Sequence, residues 1–89
     1  MNVEFSRRFQ KDFNRLSKNN NLANLLDAAI ENVNNATEIS DIKNLKKLNG
    51  FKVYYRIRIG TFRIGLKIEN DTAVFAAFEH RKDIYKKFP

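Results

Sequence analysis

Apolar residues after the N-terminus recur at steps of four, four and three positions. This spacing places them on one stripe of a helix. The stripe consists of Phe5, Phe9, Phe13 and Leu16. Ser6 is a suitable N-cap, because its hydroxyl can accept a hydrogen bond from a free N–H group of the first turn. Residues 2–5 alternate in polarity and are compatible with a short strand.

A second apolar stripe follows the polar run 18–21 and predicts another helix. Its members are Leu22, Leu25, Leu26, Ala29, Ile30 and Val33. Asn34 and Asn35 end the pattern, so the two helices form a helical hairpin joined by a short polar turn. Residues 36–50 are interpreted as a connector with some helical spacing, and Asn49-Gly50 closes it.

From Phe51 onward the hydrophobic period changes from 3.6 to 2. Residues 52–59 alternate, Gly60-Thr61 suits a tight hairpin turn, and residues 62–68 alternate again. The predicted inward set is Val53, Tyr55, Ile57, Ile59, Phe62, Ile64, Leu66 and Ile68. A second turn at Asn70-Asp71 leads to an apolar run at 73–78, which predicts a strand covered on both faces.

These elements predict an α+β fold in the order β-α-α-β-β-β, with residues 1–89 as one domain. The helical hairpin should cover one face of a twisted antiparallel sheet, since neither layer can bury its apolar face alone. The other face would then carry the outward side chains of the strands, with the C-terminal segment nearby. Its basic members are Lys52, Arg56, Arg58, Arg63 and Lys67.

Composition adds charge to this picture. The chain has 17 Lys and Arg against 10 Asp and Glu, a net charge of +7. Residues 50–89 hold nine basic and four acidic side chains, against eight and six in residues 1–49, so most of the excess lies in the strands and the tail. Positive charge that is concentrated in one part of the chain indicates a polyanionic partner.

Several classes of site are excluded by residue type. The chain has no Cys and one His, which excludes disulfides, a thiol nucleophile and zinc sites built on thiolates. No apolar run approaches the about 18 residues of a membrane span. The N-terminus does not resemble a signal peptide. We therefore expect a cytoplasmic protein that has no membrane partner.

An arginine-rich sheet face can bind phosphate, because guanidinium groups bind it bidentately and stay charged. RNA carries its own nucleophile in the 2′-OH, so such a face could cleave RNA without a metal by orienting that hydroxyl and neutralising the transition state. The alternative is a merely solvated sheet face, with Tyr85 as a packing anchor and His80 as a hydrogen-bonded surface residue. The strand carboxylates are isolated, which argues against a two-metal nuclease.

The chain resembles a known family over essentially its whole length, and two segments are the most distinctive parts of the resemblance. The hairpin Tyr55-Arg-Ile-Arg-Ile-Gly-Thr-Phe-Arg-Ile64 and the tail Glu79-His-Arg-Lys-Asp-Ile-Tyr85 are similar to the RelE/ParE superfamily of bacterial and archaeal toxins. The resemblance implies the RelE-like microbial RNase fold. It also implies a ribosome-dependent endoribonuclease that cleaves mRNA in the A site without a metal or other cofactor.

The resemblance further implies which residues act. The implied catalytic residues are Arg56, Arg58, Arg63, Arg81 and Tyr85. The implied RNA-binding residues are Lys52, His80, Lys82, Lys86 and Lys87. Some members carry Lys where this chain has Arg at 56 and 58. Arg practically cannot release a proton, so proton transfer is expected to fall to Tyr85, Lys52 or His80.

The implied partners are an acidic RelB-like antitoxin, the ribosome with its mRNA, and operator DNA bound through the antitoxin complex. An acidic amphipathic segment of the antitoxin is expected to cover Arg63 and Arg81, or to displace the tail around Tyr85. The alternatives are a ParE-like inhibitor of DNA gyrase, which shares the fold, and a non-catalytic basic binding module that acts as a co-repressor.

Overall fold

The computed structural model describes residues 1–16 and 18–89. The strands of these residues form one sheet in the order β1-β5-β4-β3-β2, in which β1 is parallel to β5 and the other pairs are antiparallel. The elements are β1 (Asn2–Phe5), α1 (Arg7–Leu16), α2 (Asn20–Asn35), a 3₁₀ turn (Ile39–Asp41), β2 (Leu45–Lys47), β3 (Tyr54–Ile59), β4 (Phe62–Glu69), β5 (Thr72–His80) and α3 (Ile84–Lys87).

The predicted α+β class and the helical hairpin are confirmed, and three details differ. The sheet is mixed rather than wholly antiparallel, because β1 pairs with β5 from the far end of the chain and no tight turn dictates its direction. The predicted connector 36–50 contains β2, which is too short for alternation to reveal. The tail forms the single-turn helix α3.

The helical hairpin packs on one face of the sheet and forms the main core. Phe9, Leu26 and Val33 point from the helices, and each is at most 3% exposed. The predicted inward residues of β3 and β4 meet them, together with Phe75 and Phe78 of β5. Two stripe members depart from the prediction. Leu25 is 54% exposed, and Phe5 belongs to β1 with 42% of its surface exposed.

Ser6 joins β1 to α1 and acts as the predicted N-cap. Its hydroxyl oxygen accepts a hydrogen bond from Phe9 N at 3.0 Å, which satisfies a free N–H group of the first helical turn. The same hydroxyl donates to Ala76 O at 3.0 Å, and Ser6 N donates to Phe75 O at 2.9 Å. The cap therefore also fixes α1 against the edge of β5.

Beyond Phe75, the outer edge of β5 has lost its β1 partner, and α1 covers it. Asp12 is 7% exposed, and its Oδ2 accepts a hydrogen bond from the buried Phe78 N at 3.1 Å. Arg15 pairs with Asp12 Oδ1 and with Glu79 Oε1, both at 3.2 Å. A side-chain carboxylate thus replaces the missing strand carbonyl, and a shared guanidinium neutralises the two buried carboxylates.

Replacing Asp12 with Ala should lower the free energy of unfolding by about 1–3 kcal/mol, because it leaves the Phe78 N–H buried without an acceptor. Asp12→Asn keeps an acceptor oxygen and should lose less. Urea denaturation measures both, with the exposed Asp27→Ala on α2 as the matched control. Equal stability of Asp12→Ala and the control would contradict this role for Asp12.

The second sheet face carries a smaller apolar cluster under α3. It consists of Leu48, Ala77, Ile84 and Phe88. The Phe88 ring lies so close to Gly65 of β4 that a Cβ placed there would be 2.6 Å from its nearest carbon. Gly65 therefore provides the space in which α3 rests on the sheet. A β-bulge between Gly65 and Leu66 shifts the β4–β5 register next to this contact.

Gly65→Ala should destabilise the protein by about 1–3 kcal/mol through overpacking against Phe88. It should also increase amide hydrogen exchange in residues 84–88, because α3 must move off the sheet. The double variant Gly65→Ala with Phe88→Leu should recover part of both losses. Unchanged stability and unchanged protection of α3 in the single variant would show that this contact does not hold the helix.

Candidate functional site on the basic sheet face

Like charges face each other across neighbouring strands on the second sheet face. Arg58 of β3 is the direct partner of Arg63 of β4, and Lys46 of β2 is the partner of Arg56. Like charges directly opposite one another destabilise a sheet. This arrangement therefore costs the fold stability, and a bound anion would reverse that cost.

Arg56 holds the tail against the strands. Its Nε donates a hydrogen bond to the Tyr85 hydroxyl oxygen at 3.2 Å, and its Nη1 donates to Asn44 O at 3.3 Å. Tyr85 is 60% exposed, so most of its ring faces solvent beside the guanidinium. The structure thus brings the predicted Arg56 and Tyr85 into direct contact, although they are 29 residues apart in the chain.

Arg63 is partly buried at the start of β4. Its Nη1 donates to the carbonyl oxygens of Gly60 and Phe62, both at 2.8 Å, which fixes its orientation at the β3–β4 turn. Desolvation is the largest cause that lowers the pKa of Arg63 below its ordinary value, and the charges of Arg56, Arg58 and Arg81 lower it further. Arg63 nevertheless stays charged at physiological pH.

Arg81 completes this group from the turn after β5. Its backbone N donates to Thr61 O at 2.8 Å, which ties the turn to the β3–β4 hairpin. Its side chain is exposed, and its charge acts on Arg63. The charges of the other four predicted catalytic residues therefore all act on Arg63. These four are Arg56, Arg58, Arg81 and Tyr85.

His80 lies on the opposite face from this group. It is the strand partner of Phe62, and their rings pack edge to face with centroids 5.6 Å apart on the helical-hairpin side. Its Nδ1 accepts a hydrogen bond from Lys82 N at 3.3 Å. Because side chains alternate along a strand, His80 points away from Arg63, and the structure does not bring it to the predicted site.

The predicted RNA-binding lysines are dispersed around the arginines. Lys52 is exposed in the loop before β3, which begins two residues later than predicted. Lys82 is exposed in the turn after β5, and Lys86 is exposed on α3. Lys87 is partly engaged, since its Nζ lies 3.8 Å from Oε2 of the buried Glu79.

Sequence reasoning missed Lys46 of β2, which faces Arg56 on the basic face. Its neighbour Lys47 is the strand partner of Tyr55, which packs on the helical-hairpin side. Lys46 and Lys47 of β2 line a cavity of about 150 Å³ together with Asn49, Arg56 and Tyr85. They were placed in a connector because β2 has only three residues. The pair of adjacent lysines just before Asn49-Gly50 was the available indication, since a turn there returns the chain onto the basic strand β3.

The described residues, 1–16 and 18–89, contain neither a cluster of metal ligands nor a helix that could span a membrane. No group of three or more His, Cys, Asp and Glu side chains in this part of the chain could hold a metal ion. In the same part of the chain, no helix is both long enough and apolar enough to cross a membrane.

The fold and the site together define a small basic α+β domain that presents clustered guanidinium groups and a phenol on one open sheet face. The sequence matches the family described as "ParE toxin of type II toxin-antitoxin system, parDE" over residues 3–85. It is 37% identical to toxin RelE3 of Methanocaldococcus jannaschii over 90 residues, which covers all of both chains. The chain belongs to the RelE/ParE superfamily of toxins from type II toxin–antitoxin systems.

Solved structures show the same fold. The RelB–RelE antitoxin–toxin complex from Methanococcus jannaschii contains a similar chain, with a TM-score of 0.79 and 35% identity, covering 98% of this chain and 100% of that one. A YafQ variant from Escherichia coli has a TM-score of 0.71 at 18% identity, covering 91% and 93% of the two chains. The toxin–antitoxin complex RelBE2 from Mycobacterium tuberculosis has a TM-score of 0.68 at 22% identity, covering 92% of each.

Arg58→Gln should raise the free energy of unfolding by about 0.2–1 kcal/mol, because it removes a like-charged cross-strand pair. If this face binds polyanions, the substitution should also weaken binding of one, for which a short single-stranded RNA is the probe. Lys67→Gln is the matched control, since Lys67 already pairs with Glu69 at 3.1 Å. Thermal unfolding and fluorescence anisotropy measure the two effects. An Arg58→Gln variant that is less stable and binds RNA as wild type would contradict the assignment of this face.

Proposed function

We propose that this toxin is an endoribonuclease that cleaves mRNA in the ribosomal A site without a metal ion, and so arrests translation in the cytoplasm. One observation supports the proposal most strongly. The charges of Arg56, Arg58 and Arg81 all act on Arg63, and the Tyr85 hydroxyl oxygen accepts a hydrogen bond from Arg56. A single scissile phosphate would bring together guanidinium groups that otherwise repel one another.

The proposed reaction uses the nucleophile of the substrate. The 2′ oxygen attacks the adjacent phosphorus and gives its proton to a water molecule, while the bond to the 5′ oxygen breaks and that oxygen gains a proton. The products are a 2′,3′-cyclic phosphate and a 5′-OH. Arg63, held through Nη1 by two carbonyl oxygens, would direct its other N–H groups to the phosphate and neutralise the charge that develops there.

Tyr85 is the group best placed to move a proton. Its oxygen accepts a hydrogen bond from Arg56 Nε, so its own O–H proton can be donated to the leaving 5′ oxygen. Its exposed ring can stack on a base at the same time. Arg56 and Arg58 act through charge and geometry. His80 faces the other side of the sheet and therefore has no role in the proposed reaction.

We propose a cognate RelB-like antitoxin as the partner of this chain, and operator DNA as a partner of the complex. The similar Methanococcus jannaschii chain is described in a RelB–RelE complex. An acidic antitoxin segment on the basic face would compete with mRNA for the same arginines and could displace α3, which rests on the sheet through a small cluster.

The test is cleavage of mRNA in a reconstituted translation reaction, with 5′ ends mapped to codons. Wild type should cut mRNA on the ribosome. Arg63→Gln should reduce the rate by about 10²–10³-fold. Tyr85→Phe, which keeps the ring, should reduce it by roughly 10²–10⁴-fold. Lys11→Gln on α1 removes one charge far from the face and should cut as wild type does.

A ParE-like action on DNA gyrase is the second candidate, because the matching family description is that of a ParE toxin. Loss of gyrase supercoiling activity with intact mRNA in the wild-type reaction would overturn the ribonuclease proposal in favour of this one. Intact mRNA with unaffected gyrase would favour a non-catalytic binding module.

A further inference from the structure

Two exposed aromatic rings border one cavity beside the basic face. Phe51 is 44% exposed and Tyr85 is 60% exposed, although aromatic residues of this size are usually more buried. Both line a cavity of about 470 Å³ together with Leu48, Asn49 and Phe88. Phe51 is also held in position, since its ring packs edge to face on Tyr54 with centroids 5.5 Å apart.

This aromatic cavity adjoins the cationic cavity lined by Lys46, Lys47 and Arg56. Leu48, Asn49 and Tyr85 line both, so Tyr85 stands between a positively charged space and an aromatic one. A ligand that spans both spaces needs a negatively charged part joined to a flat apolar part. A nucleotide within a single strand has this combination, with its phosphate and its base.

We propose that the cavity between Phe51 and Tyr85 is a subsite for one unstacked base of single-stranded RNA, whose phosphate lies at Lys46 and Arg56. The inference rests on the proposed function and adds Phe51 as a residue that binds substrate. Phe51 and Tyr85 would hold the base by stacking on their ring faces, a contact that any base can make. The Asn49 amide can donate a hydrogen bond to the base edge or accept one from it.

The edge-to-face packing against Tyr54, which itself packs on Phe88 with centroids 5.6 Å apart, gives the subsite a rigid wall. A preformed wall loses little side-chain entropy when a base binds. The subsite would therefore fix the position of one nucleotide relative to Arg56, and through it the position of the neighbouring phosphate at Arg63.

The experiment uses an RNA trinucleotide with 2-aminopurine at its centre and 2′-O-methyl riboses, which prevent cleavage. Stacking of the 2-aminopurine should quench its fluorescence when wild type binds. Phe51→Leu keeps apolar volume but removes the ring, so it should abolish most of the quenching and weaken binding roughly 5- to 100-fold, as expected for one base–aromatic stack. Phe51→Trp should restore both. Phe5→Leu, a similarly exposed Phe on β1, is the matched control and should behave as wild type.

Wild-type affinity and quenching in Phe51→Leu, or absence of quenching in wild type, would overturn the subsite. Weaker binding of an acidic antitoxin peptide by Phe51→Leu, with RNA binding intact, would overturn it in favour of a protein contact. Failure of the proposed function gives a different result: the wild-type protein would leave mRNA on the ribosome intact. The two failures are therefore distinguishable. Equal thermal unfolding of the variants shows that the fold is preserved.

Discussion

The contact between the Phe88 ring and the backbone of Gly65 determines how much of the second sheet face is covered. A side chain at position 65 would occupy the space in which the ring rests, so α3 could not settle on the strands. With Gly there, α3 covers part of this face through a small apolar cluster and leaves Arg58 exposed. It also places Tyr85 where its hydroxyl meets Arg56. The site is thus an arrangement of two layers, strands below and α3 above.

On the part of the second sheet face that α3 leaves open, the arrangement of charges opposes the stability of this small domain. Arg58 faces Arg63, and Lys46 faces Arg56, which no folding requirement explains. The cost is offset elsewhere, since the helical hairpin buries an almost fully apolar core on the other face. At the edge of β5, Asp12 satisfies a backbone N–H that the short β1 leaves unpaired, and Arg15 neutralises Asp12. In the proposed function, a substrate phosphate would offset the repulsion among these cations.

The hydrophobic period alone predicted most of this fold, including the inward faces of β3 and β4 and the shared face of Arg56, Arg58 and Arg63. Long amphipathic segments are readable because one periodicity is repeated many times. β2 was missed because three residues cannot show a period, and Lys46 and Lys47 were missed with it. The parallel pairing of β1 with β5 depends on tertiary contacts. The adjacency of His80 and Arg81 suggested a shared site, but His80, the last residue of β5, packs on Phe62 at the helical-hairpin side of the sheet.

The central claim is that four arginines from β3, β4 and the turn after β5 bind one phosphate. NMR titration of arginine Nε–Hε resonances with a non-cleavable RNA dinucleotide tests it most directly. If the four arginines bind one phosphate, the signals of Arg56, Arg58, Arg63 and Arg81 shift together with one common affinity, while those of Arg7 and Arg8 on α1 stay in place. Shifts confined to α1, or separate affinities for the four arginines, would contradict it.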